Sequence, residues 1–514
     1  MNLKRIAGTA AVWGIVFSGQ VQAAFTWEDY YEIETIDMPE GVDPQIGGID
    51  SNASGQLVVC FHRGEVMVYD EASQEWSTFA RGLHEPLGVF VEEAGTILVV
   101  QRSELTRLHD RDGDGVADFY ELVSNDWGMT GNYHEFAFGP VKDSQGNVFL
   151  SLGTASHLAG IRDEIRGEWN DAGGLTMRDF RLQEGDPDWK EKKENLPRMY
   201  ARVPYRGCVL KIEPGSRKAE VFATGLRTPN GLFVDAKDQL WVSDNQGDWV
   251  GASKLHLIRE GGFYGHAASL LWSDNPPDAI PANLPVETLE SLRTKAAALM
   301  PQGDCANSPT QILEFRNSFG ASRSGGASGQ LILGDMNHSR LIHYYPDEVG
   351  GQLQGTSTHL LDTQNLGMGN NRLLYSKDGR TLYLGKTHLS WPGREGMKRV
   401  TYNGKPYLQV DSVRLTPSGF EFTFNDTIAA PTSVEDYEVE AYRIAYHSSY
   451  GSKKYELETV PCSRISVEGK VLRLELKEKP VANRVYDIRL PQEISSSLSA
   501  ISSHRFWYTA HEVY

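Results

Sequence analysis

The stretch NGLFVDAKDQLWVS, residues 230–243, decides how most of this chain folds. An apolar run, Leu232 to Val234, meets the polar turn DAKD and then a second run, Leu240 to Val242, which is the pattern of a β-hairpin. The pattern recurs as IGGIDSNASGQLVV (46–59), LGVFVEEAGTILVV (87–100), FAFGPVKDSQGNVFLSL (136–152), SGGASGQLILG (324–334) and NRLLYSKDGRTLYLG (371–385). Six such units separated by long inserts predict an all-β chain built on a six-bladed β-propeller.

In a hairpin the residues before the first strand and after the second lie at the same end. Lining up the units therefore collects one rim. It contains His134, Arg227, Asn230 and Arg372 before first strands, and Arg63, Arg102, Asp244 to Asp248 (Asn245 and Gly247 among them), His338, Lys386 and His388 after second strands. The chain carries a net charge of −18, so a local gathering of cationic and imidazole side chains suits an anionic ligand or a developing negative charge. Capping of strand ends and pairing with carboxylates is the other use such residues have. The two longest inserts, residues 153–207 and 264–311, leave the same rim and are expected to hold short helices that shape a pocket.

DRDGDGVADFYE, residues 110–121, has the spacing of a twelve-residue calcium loop: Asp110, Asp112 and Asp114, the backbone carbonyl of Val116, Asp118 and a terminal Glu121, with Gly115 at the turn. The preceding GTILVVQRSELTRLH reads as strand, which excludes an EF-hand and predicts a structural Ca²⁺ clip in an outer hairpin of the second blade. An ion-free Asp/Gly turn would use the same residues.

Residues 1–24 read as a secretory signal, with Lys4 and Arg5, an apolar stretch from Ile6 to Phe17, and cleavage after Ala23 or Ala24. The apolar run is shorter than the roughly 20 residues a membrane span needs, so a periplasmic or extracellular protein without a span is expected. The acidic balance argues against a nucleic-acid partner. Cys60, Cys208, Cys305 and Cys462 allow one or two disulfides, whose pairing spacing does not reveal. The propeller is expected over 25–406, and alternating strands over 407–514 predict a β-sandwich of immunoglobulin type. There Tyr437, Tyr442, Tyr446 and Tyr450 are read as core rather than as a sugar platform.

Three segments, YHEFAFGPVKDSQGNVFLSLG (133–153), ATGLRTPNGLFVDAKDQLWVSDNQGDWVGASKLHLIREGGFYGH (223–266) and GNNRLLYSKDGRTLYLG (369–385), resemble the soluble glucose and sorbosone dehydrogenases. That family consists of β-propellers using pyrroloquinoline quinone and Ca²⁺, and the likeness is closest to its branch of secreted and membrane-bound bacterial dehydrogenases. The resemblance implies oxidation of a sugar or polyol, with hydride passing to the quinone and then electrons to a separate soluble cytochrome or quinone. It implies that His134 is the catalytic base and that Arg227 lies against the quinone. Gly247 and Asp248 would hold Ca²⁺, while Arg372, with Asn230, Asn245 and His338 nearby, would bind the cofactor. The family's second carboxylate-gripping arginine falls at Leu374, and its lysine aligns near Asn337 or His338, so this rim offers the cofactor fewer cations. A lyase or hydrolase of an acidic saccharide, or a propeller that binds glycan without chemistry, would use the same rim.

Overall fold

The computed structural model describes residues 24–181, 194, 196–277, 281–321, 329–388 and 393–514. The signal segment expected at the N-terminus lies outside them except for Ala24. Six antiparallel sheets follow one another along the chain. Blade one is Ile46–Ser51, Leu57–Phe61, Val66–Asp70 and Glu75–Ala80; blade two is Gly88–Glu93, Thr96–Val100, Leu105–His109 and Phe119–Ser124. Blade three is Ala137–Lys142, Val148–Leu152, Val209–Ile212 and Ala219–Thr224; blade four is Gly231–Val234, Leu240–Asp244, Ser253–Ile258 and Ala298–Met300. Blade five is Pro309–Glu314, Leu331–Asp335, Leu341–Val349 and Gln352–Leu360. Blade six is Asn370–Tyr375, Thr381–Lys386 and Gly396–Tyr402, completed by the N-terminal strand Tyr31–Ile36.

The first strand of each blade packs on those of its two neighbours, and the cycle closes from blade six back to blade one. Glycine early in the hairpin units is what permits this approach. A Cβ on Gly88 would lie 1.3 Å from the Gly139 carbonyl oxygen, and one on Gly231 would lie 2.0 Å from that of Thr310. Between blades the packing is apolar, with Leu98, Val100, Leu150 and Leu210 in one interface cluster and Phe138, Phe149, Leu232 and Val242 in the next. The fifth hairpin differs from the expected one. Its first strand is Pro309–Glu314, in what reads from sequence as the end of an insert, and much of the stretch 324–334 lies outside the described residues. The described residues of the inserts include short 3₁₀ turns and the α-helix Val286–Leu292.

Most of the C-terminal strands form two sheets. Val410–Thr416, Gly419–Phe424, Val471–Leu476 and Cys462–Glu468 make one. The other is continuous with blade five: Gln352–Leu360 pairs with Arg505–Ala510, and Arg484–Arg489, Glu438–Arg443 and Tyr455–Thr459 extend it to eight strands. Phe420, Phe422, Leu472, Ile488 and Phe506 fill the space between the sheets. The expected sandwich is thus fused to the propeller through a shared sheet rather than strung after it. Cys60, Cys208, Cys305 and Cys462 are all free thiols, so the one or two disulfides that their number allows are not formed in this structure.

Candidate functional site

A cavity of about 300 Å³ opens on the rim over blades three to five, near the small end of the roughly 300–1,000 Å³ typical of ligand pockets. Its polar wall includes His134, Arg198, Arg227, Asn245, Gln246 and Tyr450, over an apolar base that includes Phe136 and Phe138. His134 precedes the first strand of blade three, and its Nδ1 lies 2.9 Å from the carbonyl oxygen of Thr154. A carbonyl can only accept, so Nδ1 carries the proton and Nε2 keeps its lone pair, with Thr228 Oγ1 at 3.5 Å. Enclosure in the wall and the positive charge of Arg227 push the imidazole down to about 3, which keeps it neutral at ordinary pH.

The start of blade four is held by Asp244. Its carboxylate accepts the backbone N–H of Arg227 at 3.2 Å and of Thr228 at 2.6 Å, and it pairs with buried Lys254 at 3.1 Å. Arg227 donates through Nη1 to Thr228 Oγ1 at 3.1 Å, while its buried Nε has no hydrogen-bond partner. Asp248 Oδ1 is 3.8 Å from that Nε. Burial alone would raise the Asp248 carboxyl, but His266 at 3.1 Å and Arg227 outweigh it and hold the group below the usual range. Asn245 Oδ1 is buried without a partner at the cavity wall.

Of the residues expected to bind a cofactor, Arg227, Asn230 and Asn245 face this cavity. Arg372 does not. It lies beneath the floor, where Nε donates to the Gly47 carbonyl at 2.6 Å, Nη2 to that of Leu87 at 2.9 Å, and Nη1 to Asn230 Oδ1 at 2.8 Å and the Asn371 carbonyl at 3.0 Å. Its guanidinium is spent on tying blades together, which corrects the expectation that it grips a ligand carboxylate. His338 is turned to Asp335, with Nδ1 at 3.1 Å from its carboxylate, and Leu374 packs in the apolar layer between blades six and one. Other rim residues are likewise engaged. Arg102 binds Glu85 and the carbonyls of Asn132 and Tyr133, and Lys386 binds the carbonyls of Gly367 and Met368. Arg63 sits on Asp43 at the exposed edge.

The Ca²⁺ expected at Gly247 and Asp248 does not suit the arrangement. The Gly247 carbonyl accepts from Gly451 N–H at 2.9 Å, the Asn245 carbonyl accepts from the Lys254 ammonium at 2.6 Å, and Asp248 is shared by His266 and Arg227. A dication there would meet two fixed positive charges. A planar, anionic quinone fits better in charge and shape: Arg227 and Arg198 supply cations, and Phe136, Phe138 and Tyr450 supply flat apolar surface.

In the Asp-rich turn of blade two, one carboxylate oxygen each from Asp110, Asp112 and Asp114 lie within 4.8 Å of one another. The same carboxylates accept backbone N–H groups: Asp110 those of Gly113 and Gly115, Asp112 that of Asp114, and Asp114 that of Val116. Glu121 is not part of the loop. It falls in strand Phe119–Ser124 opposite Arg107 and binds Arg107, His109 and Arg217 at 3.1 to 3.3 Å, so the closing bidentate ligand of the expected pattern is absent.

Among the cavity residues that the reading of the sequence did not place there are Arg198 and Tyr450. Arg198 comes from the blade-three insert, and Tyr450 comes from the C-terminal sandwich, where Tyr437 and Tyr442 are core but Tyr450 is 40% exposed. The polar run YHSSYGS, with no apolar alternation, was the available sign that this strand leaves the sandwich core.

The fold and cavity define a propeller with a fused sandwich and a rim cavity lined by an imidazole and two guanidiniums. No family model and no curated protein sequence matches the chain. Among solved structures it is similar to the PQQ-bound aldose sugar dehydrogenase of Streptomyces coelicolor, with 13% identity over 72% of this chain and 98% of that one, at a TM-score of 0.45. It is similar also to the apo soluble aldose sugar dehydrogenase of Escherichia coli, with 13% identity over 73% and 100% at a TM-score of 0.46. A third is the holo PQQ domain of pyranose dehydrogenase from Coprinopsis cinerea, with 13% identity over 72% and 95% at a TM-score of 0.47. Likeness of this degree assigns no residue a role. Among the described residues no helix is long and apolar enough to cross a membrane.

Proposed function

We propose that the chain is an oxidoreductase that oxidises a hydroxyl of a sugar or polyol in this cavity, with His134 as the base. The observation that carries the reading is the cavity-facing, unprotonated Nε2 of an imidazole whose other nitrogen is locked on the Thr154 carbonyl. His134 Nε2 takes the hydroxyl proton. Arg227 lowers the energy of the negative charge that develops as that proton leaves. Asn245 Oδ1, buried and unpartnered, accepts from a neighbouring substrate hydroxyl, and the aromatic base keeps water from the reacting carbon.

Pyrroloquinoline quinone, when bound, would accept the hydride, with Arg227 and the Phe136 and Phe138 rings as the groups that would hold it, and a soluble cytochrome or quinone would take the electrons onward. The three sequence segments that resemble glucose and sorbosone dehydrogenases support this choice. With the leader read at residues 1–24, the protein would act in the periplasm or outside the cell.

The test is to incubate purified protein with pyrroloquinoline quinone, with and without Ca²⁺, desalt it, and read retained cofactor absorbance and dye reduction across a sugar panel. Retained absorbance with sugar-dependent dye reduction is expected without added Ca²⁺. Neither signal under any condition would overturn the quinone reading. A second reading has one observation in its favour: the described wall holds a base and two arginines but no carboxylate, which suits proton abstraction next to a substrate carboxylate by a lyase. Acceptor-independent formation of an unsaturated product from a uronide would support it instead.

A further inference from the structure

The C-terminal sandwich reaches across to the rim cavity. Its strand Tyr446–Tyr450 pairs with Asp248–Val250 beside the blade-four rim, Tyr450 opposite Asp248 and Tyr446 opposite Val250. Two further bonds pin the crossing: Gly451 N–H to the Gly247 carbonyl at 2.9 Å and the Tyr446 hydroxyl to the Gly265 carbonyl at 2.6 Å. The anchored strand sets the Tyr450 ring into the cavity wall, with the guanidinium carbon of Arg198 at 4.1 Å and that of Arg227 at 5.4 Å from the ring centroid.

Both arginines retain unused donors. The Nε atoms of Arg198 and Arg227 are buried without a hydrogen-bond partner. Arg227 has Asp248 at 3.8 Å, but that carboxylate is shared with His266, and no Asp or Glu stands among the described residues of the cavity wall. Two guanidinium charges therefore face one small cavity in a chain whose net charge is −18. A neutral sugar would leave Arg198 without a counter-charge among the described residues of the wall. A guanidinium held over an aromatic ring keeps its planar edge free for bidentate binding, the geometry a carboxylate matches.

We infer that Arg198, Tyr450 and Arg227 form a carboxylate-binding subsite assembled by the C-terminal sandwich, and that the substrate is a carboxylated saccharide of the uronic or aldonic acid class. Arg198 receives the carboxylate, and Tyr450 is a positioning residue acting through both guanidiniums. The inference rests on the cavity being the substrate site of the proposed function, but not on which reaction follows there.

Calorimetric titration of the full-length protein with glucuronate and with glucose tests it. Glucuronate is expected to bind at least about tenfold more tightly, a difference of roughly 1.4 kcal/mol. Arg198→Gln should erase that preference while leaving glucose binding unchanged. Tyr450→Ala should weaken glucuronate several-fold, and Tyr450→Phe, which keeps the ring and covers the case in which the alanine variant does not fold, should restore it. His134→Gln should abolish turnover while keeping the preference for glucuronate over glucose, so a failure of the oxidation reading is distinguishable from a failure of this one. Equal affinity for the two sugars, or a preference that survives Arg198→Gln, would overturn the subsite. Arg198-dependent binding of pyrroloquinoline quinone, with glucuronate indifferent to the variant, would assign the carboxylate to the cofactor and overturn the substrate class.

Discussion

Arg372 and Arg227 both stand at the rim end of an inner strand, the first within Asn370–Tyr375 and the second just before Gly231–Val234, yet one is a hub and the other a wall of the cavity. Around Arg372 every group is spent: its donors reach carbonyls from blades one and two and the side chain of Asn230, and Asn230 in turn donates to Asn371 Oδ1 at 3.0 Å. Lys386 nearby is buried among carbonyls and Asn370, and that burial pulls its ammonium down to about 7. Around Arg227 the opposite holds. Its Nε, the Nε of Arg198 and Asn245 Oδ1 are enclosed and unpartnered, and His134 Nε2 is a free base. Saturated polar clusters hold a ring together, whereas unspent polar atoms mark where a ligand supplies what is missing.

The contrast breaks most visibly at His134. His134→Gln is expected to lower kcat by about 10²- to 10⁴-fold, the usual worth of a positioned base, while leaving the melting temperature unchanged. Arg372→Leu should do the reverse of a site mutation. It orphans the buried Gly47 and Leu87 carbonyls, and denaturant titration should show a stability loss on the order of 3 kcal/mol.

The pH dependence sharpens the same comparison. His134 in the folded protein lies near 3, below the roughly 6.5 of a free imidazole, so its base form persists well into acid. The acid limb of kcat/KM should fall below about pH 4 rather than near 6.5, and Arg227→Gln, which removes a positive neighbour, should move it upward. The neutral imidazole contributes stability that is complete above about pH 6.5 and is lost as pH falls toward 3.

The smallest effect is expected at the blade-two turn. With Glu121 committed to Arg107 and His109, Asp110, Asp112 and Asp114 should hold Ca²⁺ no better than the roughly 10⁻⁴ to 10⁻³ M of weak extracellular sites. Calorimetry of chelator-treated protein checks this, and Asp112→Ala with Asp114→Ala should abolish the heat.

The propeller was legible because each hairpin carries its own alternation and turn, and because glycines such as Gly48, Gly88 and Gly231 recur where inner strands touch. The fifth blade was misread because its hairpin strands, Pro309–Glu314 and Leu331–Asp335, are joined by a long connection instead of a tight turn. At the site, His134, Arg227 and Asn245 were found by aligning strand ends, which locates a residue at the rim. Alignment does not reveal whether its donors are already used. Arg372 is saturated by carbonyls from distant blades, a property of ring closure that its own neighbourhood does not show. Glu121 was legible in principle: once Phe119 begins a strand, pairing with Leu105–His109 puts Glu121 opposite Arg107. Tyr450 and Arg198 reach the cavity only through the crossing of the sandwich and the path of an insert, which no periodicity encodes.

We propose that the enclosed, unspent groups over blades three to five are the chemical centre. Dye-linked turnover of a sugar-acid panel by quinone-loaded wild type and His134→Gln tests it most directly. Wild-type turnover is expected, with a loss of at least about a hundredfold in kcat for the variant and KM little changed. Equal turnover by the two proteins would contradict it.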